Sequence, residues 1–582
     1  MTEIPLPTSL QTLRPYPEIF SCHADSSAEA FQGLALFGRF DYPSYRTKWN
    51  AGFQTDAAWP AKVFSASIPV SQREDIGDIR TNWELNRHLQ FAGLARNYAL
   101  TGDVAFLREL SELFDDWNRN NLFLHGVQWA SAMEIAIRAI NWIAAYCFLT
   151  QGFQRFGTAA ESQSLLDGLS HGVLVMADYV RRHRAKFSSA NNHLIVELAA
   201  VGIAGAFFQN EAWILDSLRT LTRELPRQNF PDGINREMSL HYQAFVMEAY
   251  GLLWLALKSR DREPPVLWTR YLSAMSGYLA DCCGAYGETV VFGDDDGGEI
   301  LNLTGGRRDY YRYVLQLMGA LLPSRYTDAP FDSTMETLLN DAQKNAYREK
   351  RLYQPPDASV RKEGGYTILR SRNRKLLIAF DHAALGFGTI AAHGHADALS
   401  VQLYYEERPI LTDAGTYNYH VPKEARERFR RTEAHNTVYA GTEQAEALGP
   451  FLWGKRYAVT LKTAEVTEHQ VRVCAEIAYG NVQHQREITF DYQHTLLVRD
   501  TVSGASDARQ IWHFAPGLAI RQENSCVRIG PLRMKCETSM AIAETYQHSS
   551  GYNWTAAAQC LSFPVFRGSA VTTIRIDKEG GN

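Results

Sequence analysis

The sequence lacks the features of several protein classes. Its eight cysteines form no CxxC pair and, apart from the adjacent Cys282 and Cys283, lie far apart, which indicates reduced, partly buried thiols rather than a disulfide framework. Basic residues are not in excess: the formal net charge of -5 argues against a general attraction to nucleic acid or anionic lipid. Residues 1–20 contain no apolar segment of the kind found in a secretory signal. We therefore expect a cytoplasmic protein, or a periplasmic or secreted one if a leader was removed.

The first part of the chain has the residue pattern of helices. With 582 residues, 45% of them hydrophobic and 21% charged, the chain is an ordinary globular protein of at least two domains. Apolar residues recur at helical spacing from Trp83 to Leu322, with no strand-like segment between them. Residues 193–208 are nearly all apolar but too short for a membrane span, so they predict a buried helix and we expect no membrane span. Successive helical pairs predict a toroid or solenoid of stacked hairpins.

The second part has the pattern of a sheet protein. The composition changes between Lys344 and Lys362, and short strand-like segments separated by polar turns follow. This pattern predicts a β-sandwich-like domain. We expect a helical domain with an N-terminal extension at 1–345, a linker at 346–362 and a sandwich at 363–582. The fold class is therefore α+β and multidomain, with the helices first.

One predicted hairpin brings together residues that could bind a metal. Alternating residues from Leu399 to Tyr405 predict a strand that returns through a polar break into Ile410 and Leu411. His395 precedes the first arm and Asp413 follows the second, so the hairpin can place them side by side. His435 opens a further apparent strand and offers a third ligand. Two imidazoles and a carboxylate suit zinc, with a fourth position left for water.

Residues with acid–base chemistry also occur in the helical part. Asn192 and His193 begin the apolar helix, where their side chains can point into a cleft or simply cap the helix. Glu237 and His241 are four residues apart, so on a helix they would share a face, with Tyr242 beside them. Taken alone, a tyrosine at such a position usually belongs to the core.

Two further features of the helical part have plain structural interpretations. Glu134 and Arg138, also four apart, predict an ion pair along one helix that is structural rather than catalytic. The loop Asp294-Asp295-Asp296 is a turn by composition and only a weak cation signal, because the ligand series of a calcium loop is missing.

Set together, these segments resemble the heparinase II/III-like polysaccharide lyases in both parts of the chain. The resemblance implies an incomplete (α/α) toroid over residues 34–339 and an antiparallel β-sandwich over residues 364–576. The motifs that carry it are Trp83-Glu84-Leu85-Asn86-Arg87, Trp129 with Glu134 and Arg138, Asn191-Asn192-His193, Glu237-Met238-Ser239-Leu240-His241-Tyr242, Gly293-Asp294, His393-Gly394-His395-Ala396-Asp397-Ala398-Leu399-Ser400, Asp413-Ala414-Gly415-Thr416-Tyr417 and His435-Asn436-Thr437.

The resemblance implies β-elimination on a polysaccharide that contains uronic acid. Such a reaction needs a group that neutralises the sugar carboxylate, and Asn192 with His193 matches that position. Tyr242 matches the family's acid and can also act as base when both protons lie on one face. His393 matches the base for the opposite epimer. A tyrosine base requires nearby positive charge to lower its pKa, and Arg236 and the run from Arg426 to Arg431 are candidates for that charge.

Other residues follow from the same resemblance. The metal triplet maps onto His395, Asp413 and His435, which implies structural zinc and no organic cofactor. The expected partner is an acidic uronate polysaccharide or oligosaccharide, and a homo-oligomer is left open. Candidate substrate-binding residues are Asn86, Arg87, Trp129, Glu134, Arg138, Arg236, Glu237, His241 and Arg430.

Departures from the family pattern leave the sugar and two other classes of function open. Gln243 follows the tyrosine where many relatives have histidine, and Arg428 stands where an aromatic residue is common. A glycoside hydrolase on an α/α toroid would need paired carboxylates, for which Glu237 with Asp294 or Asp296 could serve. A non-catalytic carbohydrate-binding protein would explain the 12% aromatic content but not the clustered acid–base residues.

Overall fold

A computed structural model describes residues 4–23, 31, 33, 36, 37, 40, 42–157, 162–406, 408–523, 526–537 and 541–576. Within these residues the predicted order of helices before sheets is confirmed. Leu34, the expected start of the toroid, lies outside them. The helices are α1 (Thr8–Gln11), α2 (Tyr42–Tyr45), α3 (Ile79–Asn86), α4 (Leu89–Thr101), α5 (Val104–Asn120), α6 (Ala132–Phe156), α7 (Ser162–Arg182), α8 (Asn192–Phe207), α9 (Glu211–Gln228), α10 (Leu240–Lys258), α11 (Val266–Cys282), α12 (Tyr310–Leu321), α13 (Ser333–Leu338), α14 (Asp341–Glu349) and α15 (Lys423–Arg430).

The centre of the helical domain consists of helices that are apolar on nearly every face. Helices α4, α6, α8 and α10 pack against one another in succession, and almost all their residues are buried. The predicted buried helix at 193–208 is thus confirmed as α8. Among the described helices, α6 alone is long and apolar enough to cross a membrane, but 89% of its most apolar window is buried inside the protein. That burial is typical of a core helix.

The second domain consists of antiparallel strands in layers. They are β1 (Ala358–Arg361), β2 (Tyr366–Arg370), β3 (Leu376–Asp381), β4 (Val401–Tyr405), β5 (Arg408–Leu411), β6 (Val438–Tyr439), β7 (Ala447–Gly449), β8 (Leu452–Trp453), β9 (Ala458–Val466), β10 (Val471–Tyr479), β11 (Val482–Phe490), β12 (Thr495–Ser503), β13 (Arg509–His513), β14 (Ile520–Glu523), β15 (Cys526–Ile529), β16 (Leu532–Cys536), β17 (Ile542–Gly551), β18 (Trp554–Pro564) and β19 (Ser569–Ile576). A five-stranded sheet runs β1-β2-β3-β4-β5, an eight-stranded sheet β14-β15-β16-β19-β12-β11-β10-β9 and a four-stranded sheet β17-β18-β13-β6. The predicted hairpin of β4 and β5 is confirmed.

The five-stranded sheet joins the two domains because its two faces pack on different cores. Ile368 and Leu377 belong to the same hydrophobic cluster as the toroid helices, whereas their neighbours Leu369 and Ile378 belong to the core of the sandwich. This alternation follows from the two-residue period of a strand. The sheet therefore holds the segment between β3 and β4, which carries His393 and His395, against the helical domain.

Candidate active site

The tyrosine of the helical domain and the histidine of the sheet domain are in direct contact. The rings of Tyr242 and His393 lie nearly parallel, with 3.7 Å between their centroids. Ser239 caps α10 by accepting a hydrogen bond from the backbone N–H of Tyr242, which fixes the tyrosine in the first turn of the helix. Both side chains are buried. The contact therefore depends on both domains.

Asn192 joins this contact through Glu237. Its backbone N–H and its Nδ2 donate to the two carboxylate oxygens of Glu237, at 2.9 and 2.7 Å. The same carboxylate lies 3.7 Å from Nε2 of His393. The structure thus brings Asn192, Tyr242 and His393, the residues matched to catalytic roles, into one cluster together with Glu237.

Glu237 reaches this position from outside the helix. The expectation that Glu237 and His241 share a helix face is wrong, because α10 begins only at Leu240. Met238 adopts a positive φ of 54° between Glu237 and the capping Ser239, so the chain turns before the helix starts. This turn, and not helical spacing, directs the Glu237 carboxylate towards Asn192.

Asp294 is the central acceptor of the site, a role that sequence reasoning missed. Its carboxylate accepts hydrogen bonds from Nδ1 of His393 and from Nε2 of His395, both at 3.0 Å. It also forms a bidentate ion pair with the guanidinium of Arg426. Burial would raise the pKa of Asp294, but Arg426 and the two imidazoles hold it well below the usual range of a carboxyl group. The preceding Gly293 has a φ of 61°, and a Cβ there would overlap a backbone carbonyl on each side. The sequence contains the motif Gly293-Asp294, but it does not show which side chains contact the carboxylate of Asp294.

The surroundings of Tyr242 favour the protonated phenol. Its hydroxyl donates to Asp296 at 3.1 Å and lies 3.0 Å from the hydroxyl of Tyr419. Burial and the negative charge of Asp296 raise the pKa of Tyr242 well above its usual value, and Arg80 offsets this only in part. The condition for a tyrosine base, a pKa lowered by nearby positive charge, is therefore not met at Tyr242.

The arginines proposed as the source of that charge interact elsewhere. The guanidinium of Arg236 lies over the ring of Phe230, at 3.9 Å. Arg426 is neutralised by Asp294, while Arg430 pairs with Glu427 and donates to the backbone carbonyl of Pro450.

Two histidines beside the cluster have opposite charge preferences. His241 lies 3.2 Å from Asp295 and 3.3 Å from Asp296. Burial alone would lower the pKa of His241, but the two carboxylates outweigh it and raise that pKa to about 9. For His193, burial and the neighbouring His393 lower the pKa to about 4. His241 is therefore a cation and His193 a neutral imidazole at pH 7.

The predicted substrate-binding residues of α3 and α6 form a buried network. Arg87 binds Glu134 through two hydrogen bonds of 2.7 and 2.9 Å. The predicted pairing of Glu134 with Arg138 is therefore wrong, because Arg87, which directly follows α3, occupies the carboxylate. Arg138 instead donates to the backbone carbonyl of Asn86 and lies over Trp129, at 5.8 Å. All five side chains are buried in this structure.

The predicted metal ligands also come together, and a fourth residue, a second carboxylate, joins them. Within the residues that the structure describes, ligand atoms of His395, Asp397, Asp413 and His435 all lie within 4.8 Å of one another. Nδ1 of His395 and Nε2 of His435 are buried and have no hydrogen-bond partner among the described residues. Unpartnered imidazole nitrogens facing carboxylates form a donor set that suits a divalent cation such as zinc. Sequence reasoning did not include Asp397.

Comparison with known proteins identifies the family. The family model "Heparinase II/III N-terminus" matches residues 31–281, and the model "Heparinase II/III-like, C-terminal" matches residues 354–575. The chain belongs to the heparinase II/III-like family. The resemblance inferred from the motifs is thereby confirmed, and the toroid-plus-sandwich fold agrees with that of solved heparinase structures.

Individual relatives of this heparinase II/III-like chain are distant. A heparin-sulfate lyase of Bacteroides thetaiotaomicron is 21% identical over 454 residues, which cover 72% of this chain and 60% of the relative, so the match spans less than two thirds of that protein. A crystal structure of heparinase III superposes with a TM-score of 0.65 at 15% identity and covers 86% of this chain and 78% of the other. Heparan sulfate lyase HepC of Pedobacter heparinus gives a TM-score of 0.55 at 18% identity, over 88% and 79% of the two chains.

Proposed function

We propose that this chain is a polysaccharide lyase that cleaves an acidic, uronate-containing glycan by β-elimination. The observation that carries the proposal is the contact of Tyr242 with His393 beside Asn192, because it unites a phenol, an imidazole and a neutralising amide from two domains. The relatives named heparin-sulfate lyase support glycosaminoglycans as the class of substrate.

The first requirement of this reaction is to make the C5 proton acidic. That proton lies next to a carboxylate, and negative charge develops on the carboxylate as the proton leaves, so the site must supply hydrogen-bond donors. Asn192 provides an amide. Burial raises the pKa of Glu237 against the opposing influence of His393 and Asn192, so this carboxyl group takes up a proton more readily than an ordinary glutamate. When protonated, it would donate a second hydrogen bond. Together, Asn192 and Glu237 would neutralise the sugar carboxylate.

The second requirement is a base, and His393 is held in a suitable form. Asp294 accepts the Nδ1–H of His393, so the lone pair is on Nε2, the nitrogen that faces Glu237. His393 would take the C5 proton through Nε2. The electron pair left behind would form the C4–C5 double bond and expel the glycosidic oxygen from C4.

The third requirement is an acid for the departing oxygen. Because its pKa is raised, Tyr242 keeps its proton at neutral pH and is better suited as the acid than as the base. Tyr242 would donate its hydroxyl proton to the glycosidic oxygen, and the hydroxyl of Tyr419 would stabilise the phenolate that forms. Proton transfer from His393 by way of solvent would then restore both groups.

The candidate metal site lies beside the proposed catalytic residues rather than among them. His395, Asp413 and His435, with Asp397, would hold zinc. When bound, zinc would supply a structural crosslink between the loop before β4, the end of β5 and the segment before β6. His395 and His393 share the carboxylate of Asp294, so order at the metal cluster would extend to the base.

The hydrolase alternative is less consistent with this geometry. It needs one carboxyl group that stays protonated and one that is free to act as base or nucleophile. Asp294 is engaged by Arg426 and Asp296 by Arg80, and the pKa values of both are held low by these contacts against the effect of burial. Of the proposed carboxylates, Glu237 alone has a pKa that its surroundings raise.

The deciding experiment is to incubate the chain with a panel of uronate polymers and oligomers and to follow the ultraviolet absorbance of a new C4–C5 double bond. A lyase produces this absorbance along with new chain ends. New reducing ends without the absorbance would identify a hydrolase, and binding without cleavage of any substrate would identify a carbohydrate-binding protein.

A further inference from the structure

The turn between β17 and β18 contacts the helical domain at the start of α3. Because β17 ends at Gly551 and β18 begins at Trp554, Tyr552 and Asn553 form the turn. Asn553 has a positive φ of 65°, a conformation that asparagine tolerates. Its Nδ2 donates to the hydroxyl of Thr81 in α3 at 3.1 Å, and both side chains are buried. The tip of a hairpin from the sheet domain is thus fixed to the helical domain.

Asp78 is the central acceptor of this contact. It is the N-cap of α3, because its Oδ1 accepts a hydrogen bond from the backbone N–H of Arg80 at 2.9 Å. Its Oδ2 accepts from the hydroxyl of Tyr552 at 2.6 Å and from the backbone N–H of Tyr419 at 3.3 Å. Asp78 and both tyrosines are buried. One carboxylate therefore joins the end of a helix to two tyrosines that lie 133 residues apart in the sequence.

The hairpin also holds the backbone on which Tyr419 lies. The N–H of Tyr419 donates to the hydroxyl of Tyr552 at 3.0 Å, so this hydroxyl accepts one hydrogen bond while it donates another to Asp78. Two residues before Tyr419, the carbonyl of Tyr417 accepts from the N–H of Asn553 at 2.7 Å. The position of the Tyr419 backbone is therefore set by the tip of the hairpin.

The first turn of α3 is also connected to the proposed acid. Arg80 donates from Nε to Oδ2 of Asp296 at 2.8 Å, and the same oxygen accepts from the hydroxyl of Tyr242. Tyr419, whose backbone is held by Asp78, has its hydroxyl 3.0 Å from that of Tyr242. One helix end thus holds both phenols, the first through Arg80 and Asp296 and the second through Asp78.

We propose that Tyr552 is a positioning residue, which sets the distance between the hydroxyls of Tyr419 and Tyr242 through the Asp78 carboxylate and the backbone of Tyr419. Its own hydroxyl is occupied by Asp78 and by one N–H, so it acts through Tyr419 rather than on the substrate. The proposal rests on the proposed function for the role of Tyr242 as the acid. The hydrogen bonding of the two phenols can be measured without turnover, so the two proposals can be tested separately.

The first test measures activity in the full chain. Tyr552→Phe keeps the ring and removes only the hydroxyl. It should lower kcat by roughly tenfold to a hundredfold, the loss expected when a reacting group is displaced by about an ångström. KM should change by less than about twofold, because the hydroxyl does not bind substrate.

Two further variants show whether the effect passes through Asp78. Asp78→Asn keeps an N-cap, because asparagine caps helices as well as aspartate does, but its amide nitrogen cannot accept the hydroxyl of Tyr552. It should cause a similar loss, and the double variant should lose no more than either single one. Tyr546→Phe is the matched control on the same hairpin. Its hydroxyl donates to the backbone carbonyl of Phe514 at 2.9 Å, within the sheet domain, so kcat should equal that of the parent.

The second test needs no substrate. The ¹³Cζ resonance of a tyrosine reports the hydrogen bonding of its hydroxyl, and the resonances of Tyr242 and Tyr419 are identified by their loss in Tyr242→Phe and Tyr419→Phe. Both resonances should shift in Tyr552→Phe and in Asp78→Asn, and neither should shift in Tyr546→Phe. Melting temperatures confirm that each variant is folded. General destabilisation would not move these two resonances selectively.

Four outcomes decide the proposal. Resonances of Tyr242 and Tyr419 that stay in place in Tyr552→Phe would overturn it, whatever the activity. A KM that rises at constant kcat would show that Tyr552 binds substrate and would also overturn it. Losses at Asp78 and Tyr552 that multiply in the double variant would contradict a shared path. If no uronate polymer yields an unsaturated product while both resonances shift as expected, the proposed lyase function fails and the link between the phenols stands.

Discussion

The Nδ1 atom of His393 lies 3.0 Å from the carboxylate of Asp294, and this contact links the two domains at the candidate active site. Asp294 belongs to a loop of the helical domain, whereas His393 precedes β4 of the sheet domain. The backbone repeats the connection, because the N–H of Asp294 donates to the carbonyl of His393 at 3.0 Å. Any shift between the domains would therefore move the proposed base relative to Tyr242.

Replacing the proposed acid should stop turnover without unfolding the protein. Tyr242→Phe removes only the hydroxyl, and loss of a positioned acid should lower kcat by roughly 10² to 10⁴-fold. Tyr250→Phe is a matched control on the same helix, because its buried hydroxyl donates to a backbone carbonyl away from the site. The absorbance assay measures both variants, and melting temperature checks the fold. Near-normal activity of Tyr242→Phe would remove the phenol from the mechanism.

The buried ion pair between Asp294 and Arg426 should be strongly coupled. Asp294→Asn or Arg426→Gln alone leaves a buried charge without its partner, which should reduce the free energy of unfolding by about 3–5 kcal/mol. The double variant removes both charges and should lose less than the sum of the two. Urea unfolding of all four proteins measures the coupling. Asp75→Asn, which breaks an exposed pair with Arg73, should have little effect, and strictly additive losses at Asp294 and Arg426 would contradict the assignment.

Glu197 should make the protein less stable as pH rises. It is buried in α8, and burial raises its pKa to about 8, although its carboxylate accepts a hydrogen bond from the N–H of Ala185. A carboxyl group with a raised pKa contributes stability that is fully present below its unfolded pKa, near 4.3, and is lost as pH rises through about 8.

Glu197→Gln should remove this dependence, because a neutral amide can accept the same hydrogen bond at any pH. The variant and the parent should be similarly stable near pH 4.5. At pH 8.5 the variant should be more stable by on the order of 5 kcal/mol. Denaturant unfolding across this range measures the difference. A gap that stays constant with pH would show that Glu197 has an ordinary pKa.

Removing a proposed metal ligand should lower both stability and metal content. His395→Ala leaves three of the four clustered side chains, so bound zinc, measured by elemental analysis, should fall well below one equivalent and the melting temperature should drop. His382→Ala is the control, because this buried histidine bonds Thr367 outside the cluster and should leave the metal content unchanged. A parent protein that contains no metal after growth with zinc, and that chelators do not destabilise, would contradict the zinc site.

The sequence by itself determined the order of domains and most of the elements near the site. The apolar composition of α8 on every face predicts a buried helix, and strand alternation with a polar break predicts the hairpin of β4 and β5. These predictions succeeded because they depend on local periodicity and on where apolar side chains must be buried. The positions of Asn192 and His395, at the ends of such elements, follow from the same reasoning.

Only the tertiary structure decided which charged groups pair and in which protonation state they are held. In the sequence, Asp294 belongs to an ordinary acidic turn. In the folded protein, His393, His395 and Arg426 from distant parts of the chain contact its carboxylate. Glu134 binds Arg87 rather than its helical neighbour Arg138, and the raised pKa of Tyr242 comes from burial beside Asp296. Coulombic and desolvation energies depend on distance through space and on the exclusion of water, and neither quantity is encoded in the spacing of residues along the sequence.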